Sequence, residues 1–208
     1  YSAVKTLDSM FQGGIYDHVG GGFARYSVDE KWLVPHFEKM LYDNAQLMEA
    51  YLVGYQLTKN EDYLTVISQI LEWLKDEMID ENGGFYSSMD ADSEGVEGKY
   101  YVWKPKEIEE VLSETDAKIF SQYYDISKSG NWEGNSIPNI IMKKSSLSTL
   151  LKIPESEISS SLEKSRLAIK EHRKSRIAPG TDDKIIVSWN GLMISSLAKV
   201  SAFLDDKE

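Results

Sequence analysis

Residues 37–79, FEKMLYDNAQLMEAYLVGYQLTKNEDYLTVISQILEWLKDEMI, decide the fold class. Leu41, Ala45, Met48, Leu52 and Tyr55 recur at the spacing of one helix face and predict a helix over 37–58. Thr58-Lys59-Asn60 breaks the pattern. Ile67, Ile70, Leu71, Leu74 and Met78 then predict a second helix over 61–79. Two long amphipathic helices joined by a short turn form an antiparallel hairpin. The region therefore reads as all-α.

Upstream, residues 2–12 read as another helix, with Val4, Leu7, Met10 and Phe11 on one face. Downstream the character changes. Asp80-Glu81-Asn82-Gly83-Gly84 is turn chemistry. Residues 85–88 and 100–103 read as short strands flanking the acidic loop DADSEGVEGK. Pro105 suits the first turn of a helix. Short helices are predicted over 106–112 and 116–124, a polar loop over 127–136 and a strand over 138–142. A Ser-, Lys- and Glu-rich helix over 155–175 and a loop over 176–187 follow. The last helix starts at Ser188 or Asn190 and carries Leu192, Met193, Leu197, Val200 and Leu204. GGIYDHVGGGF and NGGFYSSMDADSEG each set Gly-Gly, an apolar residue and Tyr beside Asp. That echo points to a repeated architecture.

The 208 residues are 41% hydrophobic and 27% charged, a soluble globular composition. The net charge of −11 argues against a nucleic-acid footprint and against an anionic membrane surface. No apolar run approaches the ~20 residues that span a bilayer. Residues 1–12 lack the basic-then-apolar order of a signal peptide. With no cysteine the chain makes no disulfide, thiolate zinc site or thiol chemistry, which suits a cytoplasmic protein. It opens without methionine and stops soon after a helix, as a piece of a longer protein does.

The chemistry concentrates in residues 13–46, GGIYDHVGGGFARYSVDEKWLVPHFEKMLYDNAQ, a glycine-rich polar loop over a helical scaffold. His18, after Asp17, is a candidate general acid or base or a loop histidine bonded to backbone. His36 reads as the start of the long helix, where the dipole keeps an imidazole neutral; it is a base or a cap. Glu38 then falls in the first turn, and Asp43, seven positions beyond His36, shares its helix face. Arg25 can clamp a carboxylate or phosphate, or pair with Asp29. Trp32, Trp103, Trp132 and Trp189 sit in or beside loops, where aromatics stack on sugar rings or pack the rim. Asp90, Asp92 and Glu94 begin like a calcium loop, but Tyr101 occupies the position that needs a bidentate Glu. The three acids read as a solvated acidic turn, with a bound cation as the alternative, and no metal ligand is assigned among them. Asp182, Asp183, Trp189 and Asn190 suit sugar hydroxyls, without forming the facing carboxylate pair of a glycosidase.

DHVGGGFARYSVDEKWLVPHFEKMLYDNAQL, GGFYSSMDADSEGVEGKYYVW and DDKIIVSWNGLMISSLAK, in this order, resemble segments of the spermatogenesis-associated protein 20 (YyaL-type) family. The resemblance implies an N-terminal thioredoxin-like domain followed by an (α/α)6 toroid related to cellulases and N-acylglucosamine 2-epimerases. Residues 1–208 correspond to roughly the first half of the toroid, with small β-hairpins in its loops; the thioredoxin-like domain and the remaining hairpins lie outside them. On that basis the chain reads as a carbohydrate-directed enzyme domain. The alternative is a non-catalytic scaffold that serves the thioredoxin-like domain. His18, His36 and Asp92 are then the expected catalytic residues. Asp17, Arg25, Tyr26, Asp43, Asp90, Asp183, Trp189 and Asn190 are the expected substrate-binding residues. No cofactor is expected, the ligand is a sugar or glycan, and an incomplete ring hides its apolar edge in a homodimer. The glycine-rich loop, the acidic loop and the 182–189 loop are expected at one end of the helices.

Overall fold

The computed structural model describes residues 2–204. Helix α1 (Ser2–Gln12) feeds the glycine-rich loop, from which the hairpin β1 (Tyr26–Ser27) and β2 (Pro35–His36) projects. Strand β3 (Lys39–Met40) leads directly into α2 (Leu41–Thr58). The break before α3 (Glu61–Trp73) is a left-handed Lys59, whose amide closes on Tyr55, and an Asn60 side chain that accepts from the Asp62 amide. Helix α3 continues as a π turn, Leu74–Met78.

Strand β4 (Ser88–Met89) follows, then the tight hairpin β5 (Asp92–Ser93) and β6 (Val96–Glu97). Next come α4 (Pro105–Val111), α5 (Glu114–Tyr123), α6 (Lys144–Leu151) and α7 (Glu155–Arg173). Strand β7 (Thr181–Asp182) then leads to α8 (Val187–Leu204). The chain is mostly helical, with strand pairs of two residues each.

Two same-direction helix pairs organise the molecule. Tyr42 meets Trp189 at 4.7 Å between ring centroids, the Ser196 hydroxyl donates to the Ala45 carbonyl, Lys199 pairs with Glu49, and Tyr55 meets Phe203. Both sets of numbers rise together, so α2 and α8 run parallel. Arg166–Glu72, Lys170–Asp76 and Arg173–Glu77 show the same for α7 beside α3 and its π turn. The main core, with Leu41, Met48, Tyr51, Ile67, Ile70, Trp73, Met193 and Val200, lies among α1, α2, α3 and α8. A second core, around Trp103, Ile108, Phe120, Leu147, Ile158 and Ile169, joins α4 to α7.

A three-stranded antiparallel sheet, ordered β3-β4-β7, caps the N-terminal ends of α2 and α8. Lys39 stands opposite Met89, and Met89 opposite Thr181. The echo in the sequence has a structural counterpart. A Gly-Gly turn follows α1 and another follows α3; each path then passes through this sheet into α2 or α8. Helices α4–α7 are inserted in the second path.

Several local expectations need correction. Residues 37–40 are not helical: α2 starts at Leu41, whose amide donates to the Ser87 carbonyl, while Lys39 and Met40 pair with β4. His36 is therefore in a strand, Glu38 lies before the helix, and neither shares a helix face with Asp43. Residues 85–88 and 100–103 do not flank one hairpin. Phe85 bridges to Ile79, Trp103 bridges to Ser136, and the hairpin lies inside the acidic loop. Residues 138–142 form no strand; Ile140 donates its amide to the Gln12 carbonyl instead. Helix α6 lies where no helix is expected, and only its Leu147 is fully buried.

Candidate functional site

Two polar clusters flank β3, because neighbouring residues of a strand face opposite ways. The Lys39 side chain enters the interior. Its ammonium lies 2.8 Å from Asp17 Oδ2 and donates to the Gly21 carbonyl at 2.7 Å. Arg173, at the end of α7, donates to both Asp17 oxygens at 3.0 and 2.8 Å. The Val19 and Gly20 amides complete the shell of Asp17 Oδ1.

Burial alone raises the Asp17 pKa. Arg173 and Lys39, with the Gly20 amide, outweigh it and hold the carboxyl well below the usual carboxylate range. The glycines of this loop are steric requirements. A Cβ on Gly20 would lie 1.8 Å from Arg173 Nη2, and Gly21, at φ +81°, has the Gln69 carbonyl against it. Tyr101 and Glu77 stand beside this cluster, each with a buried oxygen that has no hydrogen-bond partner.

His18 is buried among Phe11, Tyr16 and Tyr124, with Nε2 3.1 Å from the Gly13 carbonyl. Burial pulls its pKa down to about 4, so it is neutral at pH 7. It lines a cavity of about 130 Å³ with Gln69, Tyr124 and Arg166; His36 is not part of that cavity.

The second cluster is on the outer side, at the common end of α2 and α8. Arg25 Nη1 donates to Glu38 Oε2 at 3.0 Å, so Arg25 pairs with Glu38 and not with Asp29. Asp29 instead accepts from the amides of its own loop, among them Leu33 and Val34. Tyr26 stacks on His36, and His36 Nδ1 lies 2.8 Å from Glu97 Oε1. Asp43, in the first turn of α2, feels both Arg25 and Glu38. Burial pushes its carboxyl up to about 6, against the pull of Arg25 and with the push of Glu38. Asp43 Oδ2 is buried and has no hydrogen-bond partner. Tyr42 and Trp189, from the first turns of α2 and α8, form an aromatic edge at the same end of these helices.

The remaining expected site residues are placed as follows. Asn190 gives its amide group to the Phe85 backbone, accepting from the amide and donating to the carbonyl. Asp182 is held by Lys184, and Asp183 is exposed. Asp90 and Asp92 are exposed; Asp90 accepts from the Asp92 amide, and Glu94 pairs with Lys99. Asp90 lies one residue beyond β4, and its amide donates to the Gly180 carbonyl just before β7. Among the described residues, no group of three or more His, Cys, Asp or Glu could hold a metal ion.

The structure thus groups Arg25, Tyr26, His36, Asp43 and Trp189 around the outer end of the two parallel helices. It puts Asp17 and His18 in the interior. Lys39, Tyr42, Glu97 and Arg173 belong to these clusters without having been singled out from the sequence, and Glu38, read there as a first-turn helix residue, is instead the ion-pair partner of Arg25. A lysine inside the helix predicted over 37–58, and an arginine in the last turn of α7, are the local signals for the buried pair.

No helix among the described residues is long and apolar enough to cross a membrane. No family model matches the chain. It is 37% identical to spermatogenesis-associated protein 20 of Homo sapiens over 231 aligned positions, covering 97% of this chain and 29% of that protein. The Mus musculus counterpart is 36% identical with the same coverage. An uncharacterized Caenorhabditis elegans protein, B0495.5, is 36% identical over 94% of this chain and 30% of its own length. The chain therefore spans under a third of the curated relatives it matches. Identity of 35–37% over 97% of its residues makes this chain a member of the spermatogenesis-associated protein 20 family.

Proposed function

We propose that the outer cluster is the working site of a carbohydrate-directed enzyme domain, part of an (α/α) toroid whose inner helices include α2 and α8. The observation that carries this reading is Asp43. It is a carboxyl pushed up to about 6, with one buried unpartnered oxygen, beside an ion-paired Glu38 and at the same helix end as the Tyr42–Trp189 edge. A group that titrates there exchanges protons effectively near neutral pH. Arg25 and His36 supply hydrogen bonds to hydroxyls, and the exposed Tyr26 and the Trp189 ring offer faces for a sugar ring. The parallel arrangement of α2 and α8 suits neighbouring inner helices of a toroid.

A non-catalytic scaffold is favoured by a different observation: Asp17, His18 and Asn190 are all committed to holding loops. The readings separate in the full-length protein. Saturation-transfer NMR with N-acetyl-D-glucosamine and cellobiose, followed by Asp43→Asn and Trp189→Ala, is the test. The enzyme reading expects contact that Trp189→Ala abolishes. Its pH dependence centres near 6 and vanishes in Asp43→Asn. No contact with either sugar, or contact indifferent to both substitutions, overturns it.

A further inference from the structure

The chain holds two Asn-Gly pairs, Asn82-Gly83 and Asn190-Gly191. This dipeptide has a chemistry of its own. The glycine amide nitrogen attacks the asparagine side-chain carbon where the chain lets the two meet, since no β-carbon on the glycine blocks the approach. Whether they meet depends on how tightly the backbone and the side-chain amide are held. The structure holds the two pairs very differently.

Asn190 is in the first turn of α8. Its side chain accepts from the Phe85 amide at 2.8 Å, and donates to the Phe85 carbonyl at 2.9 Å and the Ile186 carbonyl at 3.2 Å. Gly191 follows inside the helix, where regular dihedrals keep its nitrogen away from the neighbouring side chain. Asn82 and Gly83 are exposed, in the turn between the π turn and β4. The turn is closed by the Asp80 amide on the Gly84 carbonyl and the Gly83 amide on the Asp80 carbonyl. Loss of that second bond alone, at the surface, releases the Gly83 nitrogen. Gly83 has φ +90°, a Cβ there would meet nothing within 4 Å, and a second glycine follows, so little resists the movement. Among the described residues the Asn82 side-chain amide has one partner, the Asp80 carboxylate.

We propose that Asn82 is a site of spontaneous deamidation and isoaspartate formation, and that the α8 clamp protects Asn190 from the same reaction. The Gly83 nitrogen gives up its proton to solvent base and bonds to Asn82 Cγ. The Cγ–Nδ2 bond breaks, ammonia leaves, and a five-membered succinimide remains. Water adds to one of its two carbonyls. One opening leaves an aspartate at position 82. The other leaves an isoaspartate, in which the main chain runs through the former side chain and is longer by one methylene. Water is the only co-reactant, and nothing is oxidised or reduced. The product adds a negative charge beside Asp80 and Glu81. The added methylene lies just before Gly84, which is pressed against Ile185, and Phe85, whose amide and carbonyl seat Asn190. The modification therefore acts on the end of α8 where the outer cluster gathers.

The test incubates the full-length protein at about pH 8 and 37 °C. Mass spectrometry follows the peptides carrying each asparagine, and enzymatic methyl transfer to isoaspartate reads the rearranged product. The proposal expects Asn82 to convert at least about tenfold faster than Asn190 in the folded protein, and the two rates to converge in urea, where local structure protects neither. Asn82→Gln, which would have to close a six-membered ring, is expected to remove the methyl-accepting signal. Hydrogen exchange at the Phe85 amide is expected to be faster in the aged protein than in Asn82→Asp, which carries the charge without the longer backbone. No conversion at Asn82, or equal rates at both asparagines in the folded protein, overturns the proposal. Equal Phe85 exchange in the aged protein and Asn82→Asp overturns the link to α8.

Discussion

Arg173 holds both oxygens of Asp17 at 3.0 and 2.8 Å, across 156 positions of sequence. This contact fastens the end of α7 to the glycine-rich loop, and Lys39 fastens β3 to the same carboxylate. Removing one partner leaves a buried charge with too little compensation. Arg173→Met is expected to destabilise the protein by about 3–5 kcal/mol. Asp17→Asn combined with Arg173→Met costs less than the sum of the two single changes, because the sites share one interaction. Urea unfolding of the four proteins at pH 7 measures both. Additive losses would show that the contact contributes little.

His18 makes stability depend on pH. Its pKa is near 4 in the folded protein, against an ordinary 6.5 when unfolded. The unfolded chain thus binds the extra proton between pH 6.5 and 4. The contribution of a neutral His18 is complete above pH 6.5 and is lost as pH falls toward 4. The shift corresponds to about 3 kcal/mol. Urea midpoints between pH 4 and 7.5 measure the slope, and His18→Phe is expected to flatten it. An unchanged slope in that variant assigns the effect to other groups.

Much of the helical skeleton is legible in the sequence because it is local. The apolar stripes of α2, α3 and α8, the Lys59–Asn60 break and the short α4 and α5 all follow from spacing and end signals. What misleads is long-range pairing. Phe37 and Leu41 continue the helical period backwards, but Lys39 and Met40 bond to residues 88–89, which in turn bond to 181–182. No local pattern encodes that. Helix α6, Lys144–Leu151, is almost all Ser, Lys and Leu with one buried residue, so its signal is weak. For the site, the aromatic and charged residues of the 13–46 stretch are visible in sequence. Their division between an interior and an outer cluster is not, because alternation along β3 decides it.

The acidic hairpin is expected to ignore calcium. Asp90 already accepts from the Asp92 amide, Glu94 is paired with Lys99, and Ser93 donates to the Ile177 carbonyl, so the turn is closed by its own donors. Millimolar calcium should leave the melting temperature unchanged and give no heat in calorimetry. A rise in melting temperature would reveal preferential binding to the folded chain.

Asp43 titrates in the opposite sense to His18. Its folded pKa of about 6 lies above the ordinary 3.8, so the folded protein holds the proton more tightly between those values. Stability from this group is present below about pH 3.8 and is lost as pH rises through 6. The site is half-exposed, so solvent screening keeps the effect to under about 1 kcal/mol. Carbon-detected NMR of the Asp43 carboxyl reads the titration directly. Its midpoint is expected near 6. It should rise in Arg25→Ala, which removes the cation that lowers it, and fall in Glu38→Gln, which removes the anion that raises it. Asp43→Asn should leave stability unchanged at pH 4 relative to the parent and raise it slightly at pH 8. A midpoint near 4 that neither neighbour moves would mean that Asp43 is an ordinary solvated carboxylate, and the outer cluster would lose the group that gives it chemistry near neutral pH.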